Sequence, residues 1–173
     1  MAITKIQSES LNLADTYNFT GDVTGAGGVN TPAFEAYQSA DATISSGAAT
    51  KVQCNTEVFD TAGNYDNSSN YRFTPTTSGK YFVYGMIYSF GSADLEDTII
   101  YIYKNGSAYK RAEFDPTNSS NAINQASVYV SAIIDMNGSS DYVELYGMVQ
   151  SGGTVKFHST DKGTYFGAYK IIE

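Results

Sequence analysis

Short apolar and aromatic runs recur at regular intervals after Pro32, and clusters of Gly, Asn and Ser separate them. This spacing is typical of an all-β sandwich, in which short strands alternate with turns. Asn105-Gly106 lies between two runs and predicts a tight hairpin, while Asn137-Gly138 and Gly152-Gly153 predict further turns. No stretch predicts a helix. Ten strands follow from this pattern, at residues 33–38, 50–59, 70–74, 79–90, 98–103, 108–114, 127–135, 142–150, 154–158 and 165–172.

The run from Tyr81 to Tyr88 is apolar or aromatic at almost every position. An antiparallel strand usually turns one face to water and therefore alternates between apolar and polar residues. Here one set of positions, Tyr81, Val83 and Ile87, predicts a side that faces the core. The other set must also be shielded from water, and the simplest packing partner is a second copy of the same chain. We therefore interpret this second set as a subunit interface: Phe82, Tyr84, Met86 and Tyr88.

Residues 1–31 differ from the rest of the chain. Isolated apolar residues, such as Ile6, Leu11 and Tyr17, stand among Ser, Asn, Thr and Asp, and residues 25–28 are Gly-Ala-Gly-Gly. Such segments are too short to bury themselves as independent strands, and the glycines predict a flexible joint. We expect residues 1–31 to form an extended arm that anchors the protein, and residues 32–173 to form one β domain. A partly disordered leader is the alternative for the first segment.

The composition favours a β-rich domain and argues against several partners. The chain has 15 Tyr, 9 Phe and 16 Gly but no Trp, a composition that suits strands and turns. Ten Lys and Arg against 18 Asp and Glu give a net charge of −8, so nucleic acids and anionic membranes are not expected as partners. No apolar run has the length of a membrane span or the form of a signal peptide, so we expect synthesis in a cytoplasm. The single Cys54 excludes an internal disulfide.

Catalytic chemistry has little support in the sequence. His158 is the only histidine, so a histidine-rich metal site is excluded, and no nucleophile elbow accompanies it. We expect this residue at the surface, where a strand ends. The carboxylates cannot be paired from the sequence as a glycosidase requires, and the glycine runs lack the lysine and helix of a phosphate loop. The chain is therefore expected not to be an enzyme and to need no cofactor.

Calcium is the one metal ion for which the sequence offers candidate ligands. Asp94, Glu96 and Asp97 cluster in one predicted loop. Four further aspartates lie at predicted strand ends: Asp115, Asp135, Asp141 and Asp161. Carboxylate oxygens are ligands that Ca²⁺ prefers. No stretch matches an EF-hand loop, and the solvation of surface loops explains the same residues.

Five residues form a recognisable pattern: Asp60 is followed by the aromatic Tyr65, and Phe73 is followed by Gly79 and the aromatic Tyr81. In its residue types and in the spacing of the second group, this pattern resembles that of the C1q/TNF-like jelly-roll domain. The resemblance covers residues 32–173. Three later stretches are also similar to strands of the family: 125–127, 142–147 and 164–169.

The chain departs from the family pattern at three positions and has one extra residue between Tyr65 and Phe73. Cys54 and Val83 stand where the family usually has Phe, and Gly85 stands where it has an aromatic residue. The core volume must therefore be redistributed, and Cys54 is expected to be an inert buried thiol. A Gly-x-y stalk, which is common in the animal members, is missing from this sequence.

The resemblance implies an all-β fold: a ten-stranded antiparallel jelly-roll sandwich with a short extended N-terminal arm. It also implies a homotrimer in which one sheet of each sandwich faces the three-fold axis. Some members of the family bind Ca²⁺ near the apex of the trimer. The axis-facing residues that the resemblance implies are Tyr37, Phe82, Tyr84, Met86, Tyr88, Tyr146, and Phe166 or Tyr169. The alternative is that these side chains pack within the core of a single chain.

A short arm joined to such a domain is similar to small structural proteins of bacteriophage particles, especially fibres. We expect a virion protein, made in the host cytoplasm: a trimeric tail fibre or surface knob whose arm contacts other virion proteins. Its loops would present Tyr, Asn and Ser to a host surface glycan or protein, and 91–97, 115–124 and 152–153 are the candidate loops.

Other functions remain open at this stage. One is a trimer that decorates the capsid, and another is a non-viral bacterial C1q-like adhesin or signalling ligand. A small hydrolase acting on host glycans is a more distant third. Release from the cell by lysis would explain the lack of a signal peptide, and ordinary residence in a cytoplasm would explain it equally well.

Overall fold

The computed structural model describes residues 30–117, 119 and 121–171. The arm predicted at residues 1–31 therefore lies almost entirely outside the described residues. Within the described ranges the chain forms one short 3-10 turn, Thr160–Lys162, and no helix with the length and hydrophobicity that crossing a membrane requires. Thirteen strands occur in this part of the chain: β1 (Ala33–Tyr37), β2 (Ala42–Ile44), β3 (Thr50–Lys51), β4 (Thr56–Asp60), β5 (Tyr65–Asp66), β6 (Arg72–Phe73), β7 (Gly79–Gly91), β8 (Leu95–Lys104), β9 (Ser107–Phe114), β10 (Gln125–Met136), β11 (Val143–Ser151), β12 (Val155–Phe157) and β13 (Tyr165–Lys170).

The strands form two antiparallel sheets with the core between them. Sheet A contains β1, β2, β4, β7, β10, β12 and β13, and sheet B contains β3, β5, β6, β8, β9 and β11. In sheet A the long strand β7 pairs with β10 along one edge. Its other edge is shared by β12 and β13, and β13 continues the sheet to β1 and then β4. In sheet B, β11 pairs with β8 on one side and with β3 and β6 on the other.

All ten predicted strand regions contain strands, so the all-β prediction is confirmed. The predicted number of ten is too low, since thirteen strands occur among the described residues. Region 50–59 holds two strands, because the chain crosses from sheet B to sheet A at residues 52–55, where Val52 and Cys54 are buried. Strands β2 and β5 were not predicted, because segments of three and two residues are too short to show an alternating pattern.

The core is centred on aromatic rings from both sheets. Phe34 of β1 stacks on Tyr65 of β5 at 4.3 Å and on Phe73 of β6 at 4.7 Å between ring centroids. Phe166 of β13 meets Phe34 edge-on at 5.1 Å. The buried Tyr65 hydroxyl donates a 2.9 Å hydrogen bond to the backbone oxygen of Cys54, so its polar atom is satisfied. These contacts join β1, β5, β6 and β13 into one packed unit.

Strand β7 alternates as the sequence predicts. Tyr81, Val83 and Ile87 are fully buried, whereas the residues between them are only partly buried. Gly85 also faces the core, and a Cβ atom added there would lie 2.7 Å from Leu145 Cδ1 in the facing sheet. Leu145 therefore occupies the space that an aromatic residue at position 85 would need. This contact explains how the chain departs from the family pattern without leaving a void.

The predicted turns have the backbone conformations that their residues suggest. In the β8–β9 hairpin both Asn105 and Gly106 have positive φ, 52° and 79°, as a type I′ turn requires. Between β10 and β11, Gly138 has φ 71°, and the side-chain oxygen of Asn137 accepts hydrogen bonds from three following backbone N–H groups. These tight connections hold the long strands in register.

Candidate interaction surfaces

The outer face of sheet A carries a continuous layer of large side chains. Strand β7 contributes four of them, and the strand register places residues of β1, β10 and β13 on the same side of the sheet. For example, Tyr129 and Tyr165 both lie opposite Met86, and Ile133 and Tyr169 both lie opposite Phe82. We call this layer the aromatic face: Tyr37, Phe82, Tyr84, Met86, Tyr88, Tyr129, Ile133, Tyr165 and Tyr169.

Much of the aromatic face is exposed. Tyr129, Ile133 and Tyr169 are 46%, 56% and 38% exposed. At the edge of the same sheet, Val58 and Phe59 of β4 are also exposed. Isolated exposed apolar residues are normal on a protein surface, whereas large contiguous apolar patches are typical of association surfaces.

The rings of the aromatic face touch one another across strands. Phe82 lies 5.8 Å from Tyr84 and 5.5 Å from Tyr169 between centroids. Gly167 of β13 lies directly beneath Tyr84, and a Cβ atom there would come within 2.5 Å of the Tyr84 ring. The missing side chain therefore lets the Tyr84 ring lie over the middle strand.

A hydrogen-bonded pair of polar groups lies within this layer. The Tyr84 hydroxyl donates a 2.8 Å hydrogen bond to Glu35 Oε2, and burial together with this bond raises the pKa of Tyr84. The two residues line a cavity of about 300 Å³, which Lys162 also lines. The Lys162 ammonium lies 4.9 Å from the centroid of Tyr37. The face is thus mainly aromatic, with one acid and one base at this cavity.

A hydrogen-bonded cluster lies at the end of β12. Asp41 accepts hydrogen bonds from Lys156 Nζ at 2.7 Å and from the backbone N–H of Ser159 at 2.9 Å, and these bonds lower its pKa. His158, which follows β12 as predicted, lies with Nδ1 3.1 Å from the same carboxylate and stacks on Tyr88. The Ser159 hydroxyl also bonds to Asp41 rather than to His158. This is a carboxylate that ties two strands together, and not a nucleophile paired with a base.

The outer face of sheet B carries a second group of aromatic residues, and it lies on the opposite side of the sandwich. Tyr103 of β8 stacks on Tyr146 of β11 at 4.1 Å, and Tyr101 meets Tyr103 edge-on at 5.9 Å. The Lys51 ammonium lies 5.7 Å from the Tyr146 ring and 2.6 Å from Glu144 Oε1. We call Tyr101, Tyr103 and Tyr146 the tyrosine row.

Comparison with known proteins defines the fold. No family model matches the chain, and no curated protein matches it by sequence. Among solved structures, Eiger TNF from S. frugiperda has a TM-score of 0.59 and 13% identity, with 80% of this chain and 91% of that chain covered. Murine APRIL at pH 5.0 and at pH 8.0 gives TM-scores of 0.59 and 0.58 with 12% and 11% identity, covering 80% of this chain and 98% of each. The described domain has the TNF-like jelly-roll fold. The resemblance inferred from the sequence is thus confirmed for the fold.

Six of the eight residues predicted for the axis-facing surface lie on one face of this jelly roll: Tyr37, Phe82, Tyr84, Met86, Tyr88 and Tyr169. The other two do not lie on that face. Phe166 is 1% exposed and packs in the core, since alternation along β13 turns it away from Tyr169. Tyr146 belongs to β11 in sheet B, on the far side of the sandwich. The subunit-contact role of the six remaining residues stays a prediction.

Sequence reasoning missed three members of the aromatic face: Tyr129, Ile133 and Tyr165. In β10 the signal was present, because Val128 and Val130 alternate with Tyr129 and both valines are buried. The outward signal is weaker than in β7, because Ser131 lies between Tyr129 and Ile133 on the same side of the strand.

The carboxylates considered for calcium do not converge. No group of three or more His, Cys, Asp or Glu side chains in the described part of the chain is arranged to hold a metal ion. Asp141 is held by Asn105 and Lys104, and Asp115 bonds to Thr117 in its own turn. Burial raises the pKa of Asp97, which also faces other carboxylates. Two chain segments do meet around a groove of about 190 Å³, which is lined by Asp94, Leu95, Glu96, Pro116, Thr117, Ser119, Asn121 and Ile123.

Proposed function

We propose that this chain is a non-enzymatic structural protein of a bacteriophage particle, a homotrimeric fibre or surface knob that attaches to the host. The aromatic face carries this proposal. It spans strands β1, β7, β10 and β13 of sheet A, and its exposed members leave apolar area in water that association would bury. The phage setting comes from the resemblance of the arm-plus-domain organisation to small virion proteins.

A three-fold assembly needs two different surfaces that meet. In a cyclic trimer the contact is head-to-tail, so a patch on one copy packs against another patch on the next. The aromatic face of sheet A is the first patch. The edge strand β9 exposes two further large side chains, Tyr109 and Phe114, which are 51% and 37% exposed. We assign these two residues to the opposite side of the same contact.

The energy available is sufficient for such a contact. An aromatic side chain buries 150–250 Å² when fully enclosed, so one that is half-exposed leaves about 80 Å², worth about 2 kcal/mol when it is buried. Five exposed residues lie on or beside the aromatic face: Val58, Phe59, Tyr129, Ile133 and Tyr169. Together they favour association by several kcal/mol before the entropic cost of assembly is subtracted.

The proposed role in attachment follows from the rigidity of the trimer and from its three identical binding sites. Three weak sites on one rigid trimer raise the apparent affinity for a multivalent surface by about 10²–10⁴-fold without any new contact. The arm, residues 1–31, would join the trimer to other virion proteins, and the host ligand would be a surface glycan or protein. The proposed location is therefore the virion.

The first experiment is the molar mass in solution by light scattering. The full chain is compared with a chain that begins at Pro32. A trimer has a mass of about 56 kDa, three times the 18.7 kDa of the chain. Trimers from both proteins would support assembly through the domain, whereas a trimer from the full chain alone would move assembly into the arm. Monomers from both would overturn the proposal.

Two substitutions locate the contact. Phe82→Ser and Tyr169→Ser remove large side chains from the aromatic face and should shift the mass towards that of the monomer. Tyr103→Ser, on the opposite side of the sandwich, is the matched control and should leave the trimer intact. The phage setting has a separate test, because peptides of this chain should appear when purified particles from the source are analysed by mass spectrometry.

A further inference from the structure

Two opposite charges line one cavity of the aromatic face without pairing with each other. Glu35 and Lys162 both line the cavity of about 300 Å³ beside Tyr84. The Glu35 carboxylate accepts a hydrogen bond from the Tyr84 hydroxyl, and the Lys162 ammonium lies over the Tyr37 ring. Among the described residues, neither Glu35 nor Lys162 makes an ion pair. The cavity therefore suits a group that carries both signs of charge.

Subunit contact would remove water from these two charges. A charge taken out of water is costly unless a counter-charge and hydrogen bonds accompany it. On the same side of sheet A, Lys80 and Asp135 already face each other in the β7–β10 pairing, with 3.9 Å between their charged atoms. Glu35 and Lys162 have no such arrangement within the described part of the chain. The surface that covers the cavity must therefore bring a base for Glu35 and an acid for Lys162.

A strained turn holds Lys162 at the cavity. Asp161 and Lys162 have φ values of 52° and 57°, in the left-handed region that residues other than glycine adopt uncommonly. Such conformations cost free energy and persist where the surrounding structure imposes them, often at sites that bind another molecule. The next residue, Gly163, lies against Tyr88, since a Cβ atom there would be 3.1 Å from Tyr88 Cδ1. The turn is thus packed on the aromatic face, which keeps Lys162 at the same cavity as Glu35.

Strand β9 is the other place where large hydrophobic side chains lie in water. Among the described residues, seven such side chains are exposed: five belong to sheet A, and Tyr109 and Phe114 belong to β9. A cyclic trimer joins two different patches, so the aromatic face of one copy meets another surface of the next. Strand β9 also forms an edge of sheet B. We therefore take β9 as the surface that meets the aromatic face.

Strand β9 carries one acid, Glu113, and this acid shares a side of the strand with a base. Arg111 and Glu113 form an ion pair, and their side chains are 54% and 39% exposed. The two residues are two positions apart in the β8–β9 pairing, so both point to the same side of the strand, whereas Lys110 points to the other. An exposed ion pair contributes little within one chain, so both members can take a second partner.

We propose that the Arg111–Glu113 pair of one copy docks at the Glu35–Lys162 cavity of the next copy, with Arg111 beside Glu35 and Glu113 beside Lys162. The guanidinium group donates two parallel hydrogen bonds to a carboxylate and packs well on aromatic rings, such as the Tyr165 ring that lines the cavity. Each charge then has a counter-charge when water is excluded. This inference rests on the proposed function, since it names the residues by which one copy of the trimer recognises the next.

Charge reversal tests this pairing on the full chain. The quantity measured is the protein concentration at which half of the trimer dissociates, by sedimentation velocity. Glu35→Arg and Arg111→Glu should each raise this concentration by about tenfold or more, because each brings like charges together. The double variant Glu35→Arg/Arg111→Glu restores opposite charges and should return to within about threefold of the parent. Lys110→Glu is the matched control, since it makes the same charge change on the other side of β9 and should have little effect.

A second set of variants makes the test independent of the substitution at Glu35. Lys162→Glu and Glu113→Lys reverse the other contact, and their combination should again recover the trimer. Unfolding midpoints in urea separate a loss of assembly from a loss of folding. Single reversals without effect, double variants that assemble no better than the single ones, or a Lys110→Glu variant as weak as Arg111→Glu would overturn the pairing. A trimeric parent alongside such results would leave the proposed function standing, whereas a monomeric parent would remove that proposal itself.

Discussion

The hydroxyl of Tyr84 reaches Glu35 across an intervening strand. Tyr84 lies in β7, Glu35 lies in β1, and Gly167 of β13 lies between them in the same cross-strand row. The 2.8 Å hydrogen bond forms because Gly167 has no side chain to lift the tyrosine ring from the sheet. The bond thus places a hydrogen-bonded carboxylate within the surface that we assign to subunit contact.

We expect Tyr84→Phe to weaken the trimer. Enclosing Glu35 in an interface without its hydroxyl donor leaves a desolvated carboxylate with fewer partners, at a cost of about 1–3 kcal/mol per contact. The trimer should therefore dissociate at protein concentrations at least tenfold higher than for the parent, as measured by sedimentation velocity. The isolated domain should lose less, since Glu35 is only partly buried in the single chain. An unchanged dissociation constant would place Glu35 outside the contact.

Gly167→Ala tests the same relationship by a different route. The added methyl group would lie 2.5 Å from the Tyr84 ring, so the ring must move away from the sheet. We expect both the Tyr84–Glu35 bond and the trimer to be lost, while Tyr84→Phe retains the ring position. If Gly167→Ala assembles as well as the parent, the flat packing of Tyr84 is not needed for association.

The carboxylate of Asp41 should stabilise the fold in a pH-dependent way. Hydrogen bonds from Lys156 and from Ser159 hold the pKa of Asp41 below its usual value of 3.8. A carboxyl whose pKa is lower in the folded state stabilises it above the unfolded pKa, and this stability is lost as the pH falls through the folded pKa. Asp41→Asn should therefore cost about 1 kcal/mol at pH 7 and progressively less below about pH 4.

Urea unfolding at pH 7, 5 and 3 measures this effect. Asp135→Asn is the control, because the Asp135 carboxylate is 83% exposed and lies 3.9 Å from Lys80, and exposed pairs contribute little. A cost of Asp41→Asn that stays constant down to pH 3 would contradict the assignment to the ionised carboxylate.

The two sides of β7 show why much of the fold was predictable. Side chains along a strand alternate between the two faces, so the face of every residue is known once that of one residue is known. Because the residues of β7 are apolar on both faces, both faces must pack against other groups. The turn residues Asn105 and Gly106 were equally informative, because their positive φ values suit few other residues. Such local signals determine strands and turns without knowledge of long-range pairing.

The local sequence pattern does not determine every placement, as three residues show: Phe166, Tyr169 and Tyr146. Residues 165–169 are apolar or small at every position, so a shift of one residue exchanges the two faces of β13. Only the pairing of Phe166 with Gly85 decides which side is buried. The sheet to which Tyr146 belongs is determined by the pairing of its strand with β8, some forty residues earlier in the chain. No local sequence pattern indicates that pairing. The tyrosine row was missed for the same reason.

The thiol of Cys54 should be unreactive in the folded protein. It is fully buried, and this burial raises its pKa, so the reactive thiolate is rare at neutral pH. A thiol reagent such as DTNB should label less than one thiol per chain under native conditions and one in denaturant, since Cys54 is the only cysteine. Rapid labelling of the folded trimer would show that the segment between β3 and β4 opens, contrary to its packed position.

Gly85 should be intolerant of a side chain because Leu145 of the facing sheet occupies the adjacent space. A Cβ atom there would meet Leu145 Cδ1 at 2.7 Å and the backbone oxygen of Tyr165 at 3.1 Å, and Leu145 is fully buried. Overpacking of this kind costs about 1–3 kcal/mol, so Gly85→Ala should lower the free energy of unfolding in urea by that amount. Gly152→Ala is the control, because its nearest neighbouring atom is 4.0 Å away.

A second substitution shows whether the cost of Gly85→Ala comes from Leu145. Leu145→Val shortens the facing side chain and should by itself cost about 1 kcal/mol or more through lost packing. In the double variant the new methyl group fills part of that space. The loss of unfolding free energy in the double variant should therefore be smaller, by at least about 0.5 kcal/mol, than the sum of the losses in the two single variants. Strict additivity would mean that the strain arises at the Tyr165 backbone instead, and that the jelly roll accommodates position 85 by moving β13 rather than β11.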